Sequence, residues 1–150
     1  MNHSESVSHQ SDLMGVSTVT LSIVHDLRGN LVPIQSQRDI PFDIRRIYMI
    51  YDVPTGTERG GHAHKELTQL ILAAAGSFSV RLDDGTRRHT YHLNSPTEGL
   101  LLPRLVWREM FAFSPDAVCL VLASELYSAE DYIRDYGEFQ QLVKHHNSIS

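Results

Sequence analysis

A single cysteine in 150 residues leaves no disulfide framework to build on. Cys119 stands in the apolar run 118–122 and reads as a small buried hydrophobe. Long apolar runs are missing too, since no stretch approaches the roughly 18 to 20 residues that would span a bilayer. The opening segment MNHSESVSHQSDLMG is polar and lacks the basic start and apolar stretch of a secretory signal. A cytoplasmic protein without membrane contact is the expectation. Positive charge is in short supply, with 13 Lys and Arg against 18 Asp and Glu and a formal charge of -5. That balance excludes a non-specific nucleic-acid binder, which needs a basic field, but leaves room for local basic pockets. What remains is 41% hydrophobic and 21% charged, an ordinary globular composition. A chain of this length buries roughly 70% of its unfolded surface as one domain, with no metal or disulfide staple required.

Residues 1–16 show almost no apolar periodicity and are expected to form a flexible tail. Residues 17–127 read as short β-prone runs separated by turn residues, at 19–24, 31–34, 44–53, 68–74, 77–82, 87–93, 100–102, 106–113 and 117–123. The step Asp83-Asp84-Gly85 between two alternating runs marks a tight hairpin. Only residues 128–146 look helical: Ser128 is placed to cap a helix, and Tyr132, Ile133, Tyr136, Phe139 and Val143 form one apolar stripe. Many short strands with frequent turns predict an all-β jelly roll of two antiparallel sheets with one C-terminal helix.

The densest chemistry lies in Glu58-Arg59-Gly60-Gly61-His62-Ala63-His64-Lys65, followed by Gln69 and Gly76. On a strand, residues two apart share a face, so His62 and His64 project together, as metal ligands or as proton-transfer groups. Gly60 and Gly61 allow the backbone to bend just before them. The spacing from Gly56 through His62, His64 and Gln69 to Gly76 resembles the first cupin motif, G-x5-H-x-H-x3,4-E-x6-G. In metal-binding cupins the third ligand is usually a glutamate and the fourth a histidine; this chain has Gln69 and Arg108 at those places. A neutral amide is a poor ligand and a guanidinium repels a cation, so a cupin with no metal and no cofactor is expected.

Further motifs narrow the resemblance. Arg45–Asp52 (RRIYMIYD), Arg59–Lys65 (RGGHAHK), Leu82-Asp83-Asp84-Gly85, Val106–Met110 (VWREM), Leu122–Glu125 (LASE) and Tyr127–Tyr136 (YSAEDYIRDY) together resemble the nucleotide-sugar 3,4-ketoisomerases, the WxcM-like or FdtA/QdtA-like bacterial cupins. The resemblance spans roughly residues 17–139. It implies a cupin barrel and an isomerase that moves the carbonyl of a dTDP-4-keto-6-deoxyhexose from C4 to C3, on a route to a 3-amino sugar of a bacterial glycan such as lipopolysaccharide. It also implies a homodimer with exchanged N-terminal strands. By the family pattern His64 is the base at C3, and His62 with a tyrosine passes a proton from the C3 hydroxyl toward the C4 oxygen. Imidazoles titrate near neutrality and suit that work. The family commonly has W-H-E-M where this chain has Trp107-Arg108-Glu109-Met110, and two adjacent aromatics where it has Tyr48-Met49, which leaves Tyr48 and Tyr51 both open as the catalytic tyrosine. Being three apart on a strand, only one should face the barrel. For the substrate's diphosphate the candidates are Arg46, Arg59, Lys65, Arg104 and Arg108, with Gly60 and Gln69 as lining residues. Trp107 is either a thymine-stacking residue or core. Competing readings are a nucleotide-sugar 3,5-epimerase and a non-catalytic sugar-binding cupin.

Overall fold

The computed structural model describes Leu13 and residues 15–149. Its first half contains β1 (Ser17–Thr20), β2 (Val24–Asp26), β3 (Gly29–Leu31), β4 (Arg46–Tyr51), β5 (Arg59–His64) and β6 (Gln69–Ala75). Then follow β7 (Phe78–Asp83), β8 (Arg88–Leu93), β9 (Glu98–Leu102), β10 (Trp107–Phe111), β11 (Val118–Ala123), β12 (Tyr132–Ile133) and the helix α1 (Tyr136–Ile149). Two five-stranded sheets result, ordered β1-β9-β6-β11-β4 and β12-β5-β10-β7-β8, with every pairing in them antiparallel. This is the all-β, two-sheet jelly roll with a C-terminal helix expected from the sequence. Among the described residues no helix is long and apolar enough to cross a membrane.

Alternation explains which side chains the two sheets share. Along β6, Ile71 and Ala73 point into the barrel with Cys119 and Val121 of β11, and meet Phe78, Val80, Leu82 and Met110 of the opposite sheet. The alternate members, Leu70, Leu72 and Leu122, face outward, where Ile40 and Phe42 of the long connection before β4 cover them. Outside the second sheet, Ala63 and Trp107 receive Ile133, Phe139 and Val143, which docks α1. Burying side chains such as these contributes about 1.5–3 kcal/mol apiece.

Three expectations are corrected. Residues 1–12 and 14 of the expected tail lie outside the described residues, but Leu13 and Val16 are buried in the barrel core, so residues before 17 contribute to the barrel. The run 19–24 is not one strand: β1 ends at Thr20, and β2 opens a separate exposed hairpin with β3. The helix does not start after Ser128, whose side chain makes no capping bond there. Residues 129–131 form a single 3-10 turn, and Tyr132 and Ile133 pair as β12 with His64 and Ala63. Asp135 is the cap, its Oδ1 accepting the Glu138 N–H at 2.8 Å. The reason for the delay is that the Asp131 carbonyl accepts the Lys65 N–H at 2.9 Å, tying this segment to the edge of β5 before the helix can begin.

Candidate active site

Two residues of the glycine pair in β5 set the site's geometry. Gly60 and Gly61 have φ of +90° and +73°, values L side chains rarely adopt. The ladder between β5 and β10 slips here: Arg108 pairs with His62 while Glu109 pairs with Gly60, leaving Gly61 as the extra residue of a bulge. Beyond the bulge, His62 and His64 both point inward. Their rings stand 5.0 Å apart at 88°, and both pack against Tyr132, at 4.9 and 4.5 Å.

Between the sheets lies a cavity of about 560 Å³. Arg46, Tyr48 and Ile50 of β4 line it, as do Arg59, Gly60 and His62 of β5, Gln69 and Ile71 of β6, and Arg108 and Met110 of β10. Tyr132, Arg134 and Glu58 complete its mouth. Four arginines against one glutamate make the cavity cationic inside an acidic protein. His64 is almost wholly buried directly behind His62 and Tyr132, with Nδ1 donating to Asp131 Oδ2 at 2.9 Å.

Arg108 replaces the expected metal-ligand histidine with a fixed cation. It is fully buried, its Nη1 donates to Gln69 Oε1 at 2.8 Å, and its Nη2 donates to the Val106 carbonyl at 2.8 Å. Burial pulls its pKa down to about 10, still charged at neutral pH. Burial, reinforced by this guanidinium, lowers His62 to about 4 and His64 to about 3, so both imidazoles are neutral at pH 7. Burial raises the Tyr48 pKa, with Arg108 opposing it. Among the described residues no three His, Cys, Asp or Glu side chains gather as a metal site would require. The donor set of two imidazoles, an amide and a guanidinium does not fit a divalent cation.

Four buried side-chain atoms among the described residues lack a hydrogen-bond partner: Arg46 Nε, Gln69 Nε2, Arg108 Nε and His64 Nε2. All belong to this cavity or to the ring just behind it. Each costs about 1–3 kcal/mol if left unmet, so the site is built for a ligand rich in oxygen. Three of the four are N–H donors. The fourth, His64 Nε2, is a lone pair, because Nδ1 carries the proton given to Asp131.

The remaining expected site residues are elsewhere. Tyr51 is 61% exposed on the outer face of β4, which leaves Tyr48 as the inward tyrosine. Lys65 lies beside Glu66 and Glu130 in an outer cleft, and Arg104 sits near the end of α1 against Pro103 and Asn147. Trp107 is core: its ring packs on Tyr136 and Phe139, and Nε1 donates to Glu109 Oε1 at 3.1 Å. Sequence reasoning missed Asp131, Tyr132 and Arg134 because they lie in the stretch taken for the start of a helix.

The family model described as FdtA: WxcM-like, C-terminal matches residues 14–144. The TDP-4-oxo-6-deoxy-alpha-D-glucose-3,4-oxoisomerase of Aneurinibacillus thermoaerophilus is 45% identical over 118 residues, covering 79% of this chain and 85% of its own. A histidine-to-asparagine mutant of the 3,4-ketoisomerase QdtA from Thermoanaerobacterium thermosaccharolyticum, solved in complex with TDP-4-keto-6-deoxyglucose, superposes with a TM-score of 0.87 at 41% identity, covering 89% of this chain and 96% of that one. A 3,4-ketoisomerase from Helicobacter canadensis gives 0.85 at 42% identity, covering 87% and 98%.

Proposed function

The chain belongs to the FdtA family of WxcM-like proteins, and from that membership we infer that it is a TDP-sugar 3,4-ketoisomerase, moving the carbonyl of a TDP-4-keto-6-deoxyhexose from C4 to C3. The observation that carries this reading is the cavity itself: three unmet N–H donors and one imidazole lone pair, enclosed by arginines. A keto sugar offers oxygens to the donors and an acidic C–H to the lone pair.

In the mechanism we propose, His64 removes the C3 proton through Nε2 and the C4 carbonyl becomes an enediol. His62 and Tyr48 carry the C3 hydroxyl proton to the C4 oxygen, the carbonyl reforms at C3, and a proton is returned to C4. Two protons move and no electrons are gained or lost, so no nicotinamide is called for. Arg108, held by Gln69, opposes the negative charge that develops on the enediol oxygens. Arg59 and Arg134 at the mouth meet the diphosphate. Incubation with TDP-4-keto-6-deoxyglucose in heavy water, followed by NMR, tests this: the carbonyl is expected at C3, with the C3 proton lost and deuterium incorporated at C4 of the product. A carbonyl retained at C4 with exchange at C3 and C5 would instead identify a 3,5-epimerase. If His62→Asn rather than His64→Asn abolishes exchange of the C3 proton, the base is His62.

We further propose a homodimer in the cytoplasm, where nucleotide sugars are made. Hairpin β2–β3 lies outside both sheets and presents Ile23, Val24, Leu27 and Leu31 to solvent, while edge strand β4 presents Ile47, Met49 and Tyr51. Unpaired edges and apolar faces of this kind are usually covered. Because β1 pairs with β9 of its own chain, the hairpin is the segment we assign to the exchange, seated on the partner's β4. Light scattering at micromolar concentration is expected to give twice the chain mass, and deletion of residues 23–31 to give monomer. A deletion variant that stays dimeric would refute the assignment.

A further inference from the structure

The geometry points to Asp131 as the positioning residue that fixes the tautomer of His64. A carboxylate can only accept, so the 2.9 Å contact from His64 Nδ1 to Asp131 Oδ2 requires the proton on Nδ1. In a neutral ring the lone pair is then on Nε2, the atom left without a partner beside the cavity. The other groups around this ring are His62, Tyr132 and the Arg108 guanidinium. None of them is hydrogen-bonded to Nε2, so the choice of tautomer rests with Asp131.

Asp131 is itself held so that it cannot turn away. Its Oδ1 accepts the Glu66 N–H at 2.7 Å, and its carbonyl accepts the Lys65 N–H at 2.9 Å. Both donors are backbone groups immediately after His64, so the acid and the ring it orients are fixed to the same end of β5. This anchoring decides how an isosteric amide would sit. In Asp131→Asn the side-chain oxygen must face the Glu66 N–H, which puts the amide NH₂ against His64 Nδ1. Nδ1 then has to accept, and the ring proton moves to Nε2. The variant thereby removes the lone pair that the proton-transfer step requires, with almost no change in shape. An aspartate-to-asparagine change that installs the wrong tautomer is known to be severe in the serine-protease triad.

The inference rests on the ketoisomerase reading, and the experiment separates the two. Asp131→Asn is expected to lower kcat by about 100-fold or more with KM changed only a few-fold. Asp131→Ala, which leaves both tautomers open, is expected to lose less than Asp131→Asn. In protein carrying ¹⁵N-histidine, long-range proton–nitrogen NMR should show His64 protonated at Nδ1 in the wild type and at Nε2 in Asp131→Asn. A merely structural role predicts the opposite order, with the isosteric amide milder than alanine and no tautomer change. Wild-type His64 protonated at Nε2, or near-normal kcat in Asp131→Asn, would overturn the proposal. Should Asp131→Asn fail to fold, the wild-type tautomer and Asp131→Ala still decide it. Failure of the wild type to isomerise TDP-4-keto-6-deoxyglucose would sink the functional reading and leave the tautomer measurement standing.

Discussion

Gly60 and Gly61 share a left-handed backbone but not the space around them, so alanine at each should separate strain from crowding. A Cβ on Gly61 would meet nothing within 4 Å, whereas on Gly60 it would stand 2.9 Å from the Arg108 carbonyl oxygen and 3.3 Å from Glu109 Cα. Left-handed φ costs an L-residue about 1–2 kcal/mol, offset by about 0.4–1 kcal/mol from the stiffer unfolded chain. Gly61→Ala should therefore destabilise by about 1 kcal/mol. Gly60→Ala carries the same strain and must also push the β10 backbone aside, which adds about 1–3 kcal/mol and brings the total to about 2–4 kcal/mol. Urea unfolding at one fixed protein concentration reads the difference; with a slope of about 1–3 kcal/mol/M, the midpoints should lie about 1 M apart. Displacing β10 at Arg108 also moves the guanidinium held by Gln69, so TDP-sugar turnover should suffer in Gly60→Ala and be largely kept in Gly61→Ala. Equal losses at the two positions would refute the steric reasoning.

His64→Asn should reduce turnover by about 100-fold or more while TDP affinity stays within a few-fold, measured by steady-state kinetics and calorimetry. Near-normal turnover would move the base elsewhere. Activity should survive exhaustive dialysis against EDTA, and restoration by zinc, iron or manganese after a loss would contradict the charge argument made from Arg108. Because His62 and His64 titrate at about 4 and about 3 in the folded state, turnover should persist at pH 5. Folding stability follows the same groups: unfolded histidines bind protons from about pH 6.5 downward while the folded pair does not until about pH 4, so stability should fall across that window. Denaturation from pH 7 to pH 5 checks the slope, and a kcat/KM profile with its acid limb near 6.5 would count against buried neutral imidazoles.

Much of the barrel was legible because short β-prone runs are separated by turn residues, and side-chain parity then sorts each run into two faces, even in β6, where both faces are buried. That parity also carried the core of the site. His62, His64, Gln69 and Arg108 all project inward, and the three-residue offset between Tyr48 and Tyr51 required one of them to face out. Applied further, it would have removed Lys65 and Trp107 from the candidates, since each is one step from an inward residue. Arg104 falls in the turn between β9 and β10, where no parity operates. Asp131, Tyr132 and Arg134 were hidden for a different reason. The apolar spacing from Tyr132 to Val143 is helical, but a contact 67 residues away in sequence, from His64 to Asp131, overrides that local preference. A single sequence does not display such a contact.

The guanidinium of Arg108 also bears on how barrels of this kind exchange one chemistry for another. It occupies the bench of a metal ligand, touches the amide that stands where a carboxylate would, and shares its cross-strand pairing with His62. Two substitutions, Arg108→His and Gln69→Glu, would restore the residue types of a metal cupin, three imidazoles and a carboxylate, a donor set that zinc or iron accepts. A resident side-chain cation and a borrowed metal ion are thus alternative occupants of one place. In residue types, the passage between them is two substitutions long.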